Sequence, residues 1–192
     1  MFEIYEKIYS LLSSIYPLSD EIREIIPAFF LQHQFPKRTL LLEEGQICDR
    51  VYFIDTGLAR AFYNLDGQDT TAWFMEEGDI IISVQSFFLQ KPSSESIELL
   101  EDSTLVSIRY TDLQHLYHQF PAFNFNGRVL TERYYVKGEE RATSLRRLTA
   151  QERYLNLLET NPKLFNRAPL KHIASFLGMA PETLSRLRAK ER

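Results

Sequence analysis

Cysteine is almost missing from this chain: 192 residues hold one, Cys48. That excludes a disulfide framework, a multi-cysteine zinc site and a cysteine-ligated iron–sulfur cluster, and makes a reducing cytoplasm the expected compartment. Long apolar runs are missing too. The longest are a few residues, such as Ile80-Ile81-Ile82, far short of the ~20 a membrane-spanning helix needs, so no membrane partner is expected. The first residues, MFEIYEKIYSLL, carry acids and lack the basic-then-apolar order of a secretory leader. His115 and His118 lie three apart without a third ligand at suitable spacing, and His33 and His172 are isolated; no metal site is expected. There is no Gly-rich phosphate loop, no nucleophile–base pair and no His-x-His…Glu…His set of the cupin type. An enzyme is therefore the least favoured class. Internal repeats and low-complexity segments are absent as well.

What is present is an ample supply of side chains to bury, including 14 Phe and 10 Tyr, and a marked charge asymmetry. Residues 1–127 hold 19 acidic and 8 basic side chains, whereas residues 128–192 hold 7 acidic and 14 basic ones. An acidic front and a basic tail suggest two modules, the second facing a polyanion such as nucleic acid.

The apolar spacing changes along the chain. Ile4, Ile8, Leu11, Leu12 and Ile15 recur at helical intervals over 3–16. Pro17 ends that helix, and Ser19 looks like the N-cap of a second one through Ile26. Then Gly45, Gly57, Gly67 and Gly78 punctuate short β-rich runs, Val51–Asp55, Leu58–Tyr63 and Thr70–Phe74. Strands at this spacing predict an antiparallel sandwich or barrel, with Asp66-Gly67 as a hairpin turn. Ser96–Leu100 and Thr104–Arg109 are further strand candidates. Thr111 and Gln114 fit a capping box for a helix closed by Pro121. A polar, basic helix follows over 127–148, and a second capping box, Thr149 and Glu152, opens another helix that stops at Asn161-Pro162.

The most specific pattern is Leu170–Leu187. Leu170, Ile173, Ala174 and Leu177 make one apolar helical face, Gly178 suits a left-handed turn, and Pro181 suits the first turn of a new helix that continues with Leu184 and Leu187. Small Ala174 permits close helix approach. This is the helix-turn-helix pattern. Together with VYFIDTGLAR (Val51–Arg60), EEGDII (Glu76–Ile81) and IASFLGMAPETLSR (Ile173–Arg186), it makes nearly the whole chain resemble the Crp/Fnr family of bacterial transcription regulators. The resemblance implies an α+β fold. An antiparallel β-roll of double-stranded jelly-roll type, with flanking helices, occupies about 1–125. A long dimerisation helix follows at 126–148 and a DNA-binding helix-turn-helix domain at 149–192. It also implies a cytoplasmic homodimer bound to double-stranded DNA, with RNA polymerase as a candidate further partner.

With a 3.6-residue period, Glu182, Arg186 and Lys190 share one face of the helix 181–191. Arg suits guanine and Glu the cytosine amino group. Lys171, His172, Thr183, Ser185 and Arg188 are placed for phosphates. Pro181 stands where the family often has Arg, and with the chain ending at Arg192 any wing is expected from 162–169. Leu130, Tyr134, Leu145 and Leu148 are the expected dimer contacts of a parallel helix pair.

The family's ligand cassette follows Gly78-Asp79. Ile82 and Ser83 fall at its Gly-Glu pair, and Ser93 and Ser94 at its Arg-Ser pair. Only Ser94 is retained. The acid for a ribose and the arginine for a cyclic phosphate are both missing, so no cofactor is expected and a cyclic nucleotide least of all. An alternative reading is a receptor in which Trp73, Ser83, Phe87, Phe88, Ser93, Ser94 and Tyr135 surround a different effector that controls DNA binding. A third is an interaction protein whose basic tail takes protein or RNA.

Overall fold

The computed structural model describes residues 2–190, with side chains from Tyr5 to Lys190. The side chain of Ile4 and the last residue of the expected helix 181–191 lie outside the described residues. Two helices, α1 (Phe2–Ile15) and α2 (Asp20–Ile25), lead through a 3-10 turn at Ile26–Ala28 into eight strands. These are β1 (Leu31–Phe35), β2 (Leu40–Leu42), β3 (Arg50–Thr56), β4 (Ala59–Leu65), β5 (Gln68–Met75), β6 (Ile80–Ile81), β7 (Ser96–Leu99) and β8 (Ser103–Arg109). A short helix, α3 (Val84–Leu89), interrupts them after β6. The chain then continues through α4 (Tyr110–Gln119), α5 (Phe123–Arg147), α6 (Ala150–Thr160), α7 (Leu164–Arg167), α8 (Leu170–Phe176) and α9 (Pro181–Lys190).

The strands form two four-stranded antiparallel sheets, ordered β1-β8-β3-β6 and β2-β7-β4-β5, stacked as a β-roll. The turn between β4 and β5 is Asp66-Gly67, with φ of 52° and 82°. Positive φ at both central residues matches the right-handed twist of a hairpin. Gly57 has φ of 120°, and a Cβ there would fall 2.0 Å from Ser103 Oγ, so only glycine fits.

Alternation along β3 and β8 divides their side chains between two clusters. Ile54 and Leu105 face the space between the sheets, with Ile81, Ala61, Leu99 and Phe87. Phe53, Val106 and Ile108 face outward, under α1, α4 and α5. A third cluster joins Leu58 and Leu100 of the roll to Tyr154, Leu164, Ile173 and Leu184 of the C-terminal helices.

Local expectations hold at several helix ends. Ser19 accepts the Ile22 N–H at 3.4 Å, and Thr149 and Glu152 make both bonds of a capping box. The Thr111–Gln114 box does not form. There β8 runs straight into α4, Arg109 sits at the N-cap without a side-chain bond, and the Tyr110 N–H donates to Asp49 O at 2.7 Å. Helix α5 begins at Phe123, four residues before the expected start. Strands β1, β2 and β6 and helices α3 and α7 have no counterpart among the elements expected from the sequence.

Candidate nucleic-acid interface

Helices α8 and α9 pack around a tight turn. Ile173, Ala174, Leu177 and Leu184 are buried at the contact. Gly178 supplies a left-handed residue, φ 63°, which lets the N–H groups of Gly178 and Met179 reach Ser175 O and Ala174 O at 2.9 and 3.0 Å. Two arginines hold the same end of α8. Arg153 donates to Leu177 O at 2.7 Å and Gly178 O at 3.3 Å. Arg141 donates to Phe176 O and lies 3.7 Å over the Phe176 ring. Burial and the like charge of Arg153 lower the Arg141 pKa to about 10. Cations at a helix C-terminus match its dipole.

Pro181 opens α9, and burial of Leu184 fixes the helix's rotation. Glu182, Ser185, Arg186 and Lys190 are exposed, with Arg186 Nε donating back to Glu182 O at 3.4 Å. Thr183 and Arg188 are half-buried, Arg188 lying 5.9 Å over the Phe165 ring, and Lys171 is exposed on α8. His172 departs from the expected phosphate contact. It is 7% exposed, and burial with the nearby Arg60 and Lys171 charges pushes its pKa down to about 4. A neutral, covered imidazole has no charge to offer a phosphate.

His172 is covered because α8 lies on the β-roll. Ser175 Oγ accepts the Thr71 N–H of β5 at 2.8 Å, and Phe176 meets Phe74 edge-on at 5.2 Å. Arg60, 3% exposed, binds Glu98 and Asp69 at 2.9 and 2.8 Å beside this contact. Arg167 of α7 bridges two roll carboxylates, Glu77 at 2.8 Å and Glu101 at 2.6 Å. Burial opposes ionisation of Glu77, but hydrogen bonds from Arg167 and the Gly57 N–H outweigh it and hold the carboxyl down to about 2. Sequence reading missed Arg60, Arg141, Arg153 and Arg167. No local pattern marks them; the Arg167 partner Glu77 is 90 residues away.

At the cassette position the hydroxyls of Ser83 and Ser93 face each other at 3.1 Å, both buried, while Ser94 and Lys91 are exposed. The ionisable group beside them is an acid: burial raises the Glu95 pKa, and a hydrogen bond from Ser83 partly offsets this. Trp73, Phe87, Phe88 and Tyr135 lie elsewhere together, on the wall of a cavity of about 410 Å³ between the outer face of β3 and β8, α1, α3 and α5. Of the seven expected effector residues, these four line the cavity and the three serines do not.

Two expected dimer residues also turn inward. Leu130 packs against the cluster under α1, and the Tyr134 hydroxyl accepts the Ile80 N–H at 2.6 Å. Burial raises the Tyr134 pKa to about 12, with the Asp79 charge adding to it and the Ile80 N–H opposing it. Leu145 lies against Gly178, and Leu148 is half-buried at the C-cap of α5. Among the described residues there is no group of three potential metal ligands, and no helix is long and apolar enough to cross a membrane.

Residues 32–120 match the cyclic nucleotide-binding domain family. That matched domain is the β-roll with α3 and α4. Solved structures extend the likeness over more of the chain. The catabolite activator protein of Thermus thermophilus is 21% identical, covering 94% of this chain and 85% of that one with a TM-score of 0.58. FixK2 from Bradyrhizobium japonicum is also 21% identical, at 84% and 83% coverage and a TM-score of 0.72. A putative transcriptional regulator of the crp/fnr family from Eubacterium rectale is 15% identical, at 88% and 82% coverage and a TM-score of 0.70. At these identities the likeness is one of fold: an antiparallel β-roll followed by a long helix. Comparison of the sequence with curated proteins returns no match.

Proposed function

We propose that this chain is a cytoplasmic, homodimeric transcription regulator of the Crp/Fnr type that binds double-stranded DNA through α9. In this reading residues 1–125 are the regulatory roll, 126–148 the dimerisation helix and 149–192 the DNA-binding part. The observation that carries it is the outward face of α9. Leu184 is fully buried, so the helix cannot rotate, and Glu182, Ser185, Arg186 and Lys190 are left facing solvent on a rigid support. Arg186 suits a bidentate contact to guanine, and Lys190, Arg188 and Lys171 suit phosphates. The surplus of basic residues after 128 supplies the electrostatic attraction.

The face of α5 free for a second copy differs from the expected one, because Leu130 and Tyr134 are engaged by the roll. Phe125, Val129 and Val136 share another side of the helix, and Phe125 and Val136 are 41% and 53% exposed. Spacings of four and seven residues suit a paired helix seam. Two copies related by a two-fold axis would present α9 to half-sites about 34 Å apart.

Footprinting and gel shift on genomic fragments test the reading. Protection of an inverted repeat is expected. Arg186→Ala should cost about 1–3 kcal/mol and relax one G·C preference per half-site. An equal loss on every sequence would make Arg186 a phosphate contact, and no DNA retention at low salt would overturn the function.

A further inference from the structure

The cavity beside α5 has a chemistry of its own. Its volume of about 410 Å³ is that of a small-molecule site. Phe53, Val106 and Ile108 line it from β3 and β8, and Trp73, Phe88 and Tyr135 add aromatic rings to its wall. Among the described residues lining it there is no Lys, Arg or His, and one acid, Glu139. The serines at the cassette position are bonded to each other and do not line it.

We propose that this cavity binds an uncharged, apolar small molecule, held among Trp73, Phe88 and Tyr135 and resting on α5 at Leu130, Tyr134 and Gly138. An anion finds no cation there, only hydroxyls such as those of Thr131 and Tyr135. Removing a phosphate or carboxylate from water without a cation or several donors is costly, and Glu139 repels it further. Tyr134 remains a neutral phenol, its oxygen already taken up by the Ile80 N–H. A hollow with such walls favours guests that lose nothing on leaving water. Gly138 lines the cavity, and a Cβ built there meets nothing within 4 Å, so α5 leaves this space open by lacking a side chain. This inference concerns the roll and α5 and stands whether or not α9 binds DNA.

The chain's single tryptophan, Trp73, lines the cavity and serves as the reporter. The probe is uncharged N-phenyl-1-naphthylamine, followed both by Trp73 quenching and by its own emission, with cyclic AMP as the charged comparison. Saturable binding of the probe in the low micromolar range is expected, with no saturation by cyclic AMP. Gly138→Leu fills the space and replaces a helical glycine. It should weaken the probe about tenfold while leaving the melting temperature unchanged or higher. Phe88→Ala removes an exposed ring from the wall and should weaken it by a smaller factor without unfolding the roll. Absence of saturation up to the probe's solubility overturns the proposal. So does equal binding by wild type and both variants, or cyclic AMP binding as tightly as the probe. Loss of probe binding as protein concentration rises would show that a second copy, rather than a small molecule, fills the space.

Discussion

Replacing Arg167 by methionine isolates one charged contact among those that tie the C-terminal helices to the roll. The guanidinium holds Glu77 through two bonds of 2.8 Å and Glu101 through bonds of 2.6, 3.0 and 3.2 Å, with Glu76 3.6 Å away. A fully buried charged hydrogen bond contributes about 1.5–3 kcal/mol, but an exposed pair contributes only about 0–1 kcal/mol. Here Arg167 is 20% exposed and the carboxylates 31–43%, so about 1 kcal/mol per forked pair is the fair figure. Methionine keeps the volume of the stem and leaves three acids facing one another. A total loss of about 2–3 kcal/mol at pH 7 follows.

The pH dependence distinguishes charge from packing. In the wild type the Glu77 carboxyl titrates at about 2, below its unfolded value, so its contribution is present above about pH 4.5 and is lost as pH falls toward 2. Without the cation Glu77 loses the bonds that hold its carboxyl low, and the variant recovers stability as protonation removes the like-charge repulsion. The deficit in urea-induced unfolding should therefore be largest at pH 7 and clearly smaller near pH 4. Urea is the denaturant of choice because guanidinium salt screens the very interaction under test. A deficit below about 0.5 kcal/mol at low salt, or one independent of pH, would refute the reasoning.

His172 should make the wild type lose stability as pH falls from about 6.5 toward 4, since the folded imidazole resists a proton that the unfolded one accepts. His172→Gln should flatten that slope by about 2–3 kcal/mol over the range; unfolding curves at pH 7 and 4.5 decide, and an unchanged slope contradicts the buried neutral state. Gly178→Ala should cost about 1–2 kcal/mol, because φ of 63° disfavours a Cβ and the new atom would lie 3.2 Å from Leu145 Cδ2. Thermal melting measures it, and a variant as stable as wild type would show that the turn relaxes freely.

What the sequence disclosed was local. Glycines at 57, 67 and 78 mark turns because each needs positive φ, and Thr149–Glu152 caps a helix because both partners lie within one turn. What stayed hidden depends on distant groups. β1 reads LQHQF, with little apolar alternation, and becomes a strand because β8 offers it five residues of pairing. β6 is two residues long and exists through Phe53 and Tyr52. His172 looks like a surface cation beside Lys171 until the roll covers it. At the candidate interface the outward residues of α9 were legible from the 3.6-residue period, whereas the arginines that hold the support in place were not.

One side of helix α5 meets both the proposed cavity and the support of the proposed DNA-reading helix. Leu130, Tyr134 and Gly138 face the cavity at intervals of four residues. One turn further Arg141 holds the Phe176 carbonyl, and two turns further Leu145 lies beside Gly178 at the turn that leads into α9. The side that faces elsewhere exposes Phe125 and Val136, the surface proposed for a second copy. A rigid rod cannot shift at one of these places alone, so a guest that moved α5 would act on the proposed DNA-reading helix through the two side chains that meet its support. The energy required is small. A tenfold change in DNA affinity needs about 1.4 kcal/mol of preference for one arrangement over the other. At about 25 cal/mol per Å², that is the burial of roughly 55 Å² more apolar surface in the favoured arrangement. A fraction of one aromatic side chain's area suffices, so a modest repacking of Phe88 and Tyr135 around a guest meets the requirement.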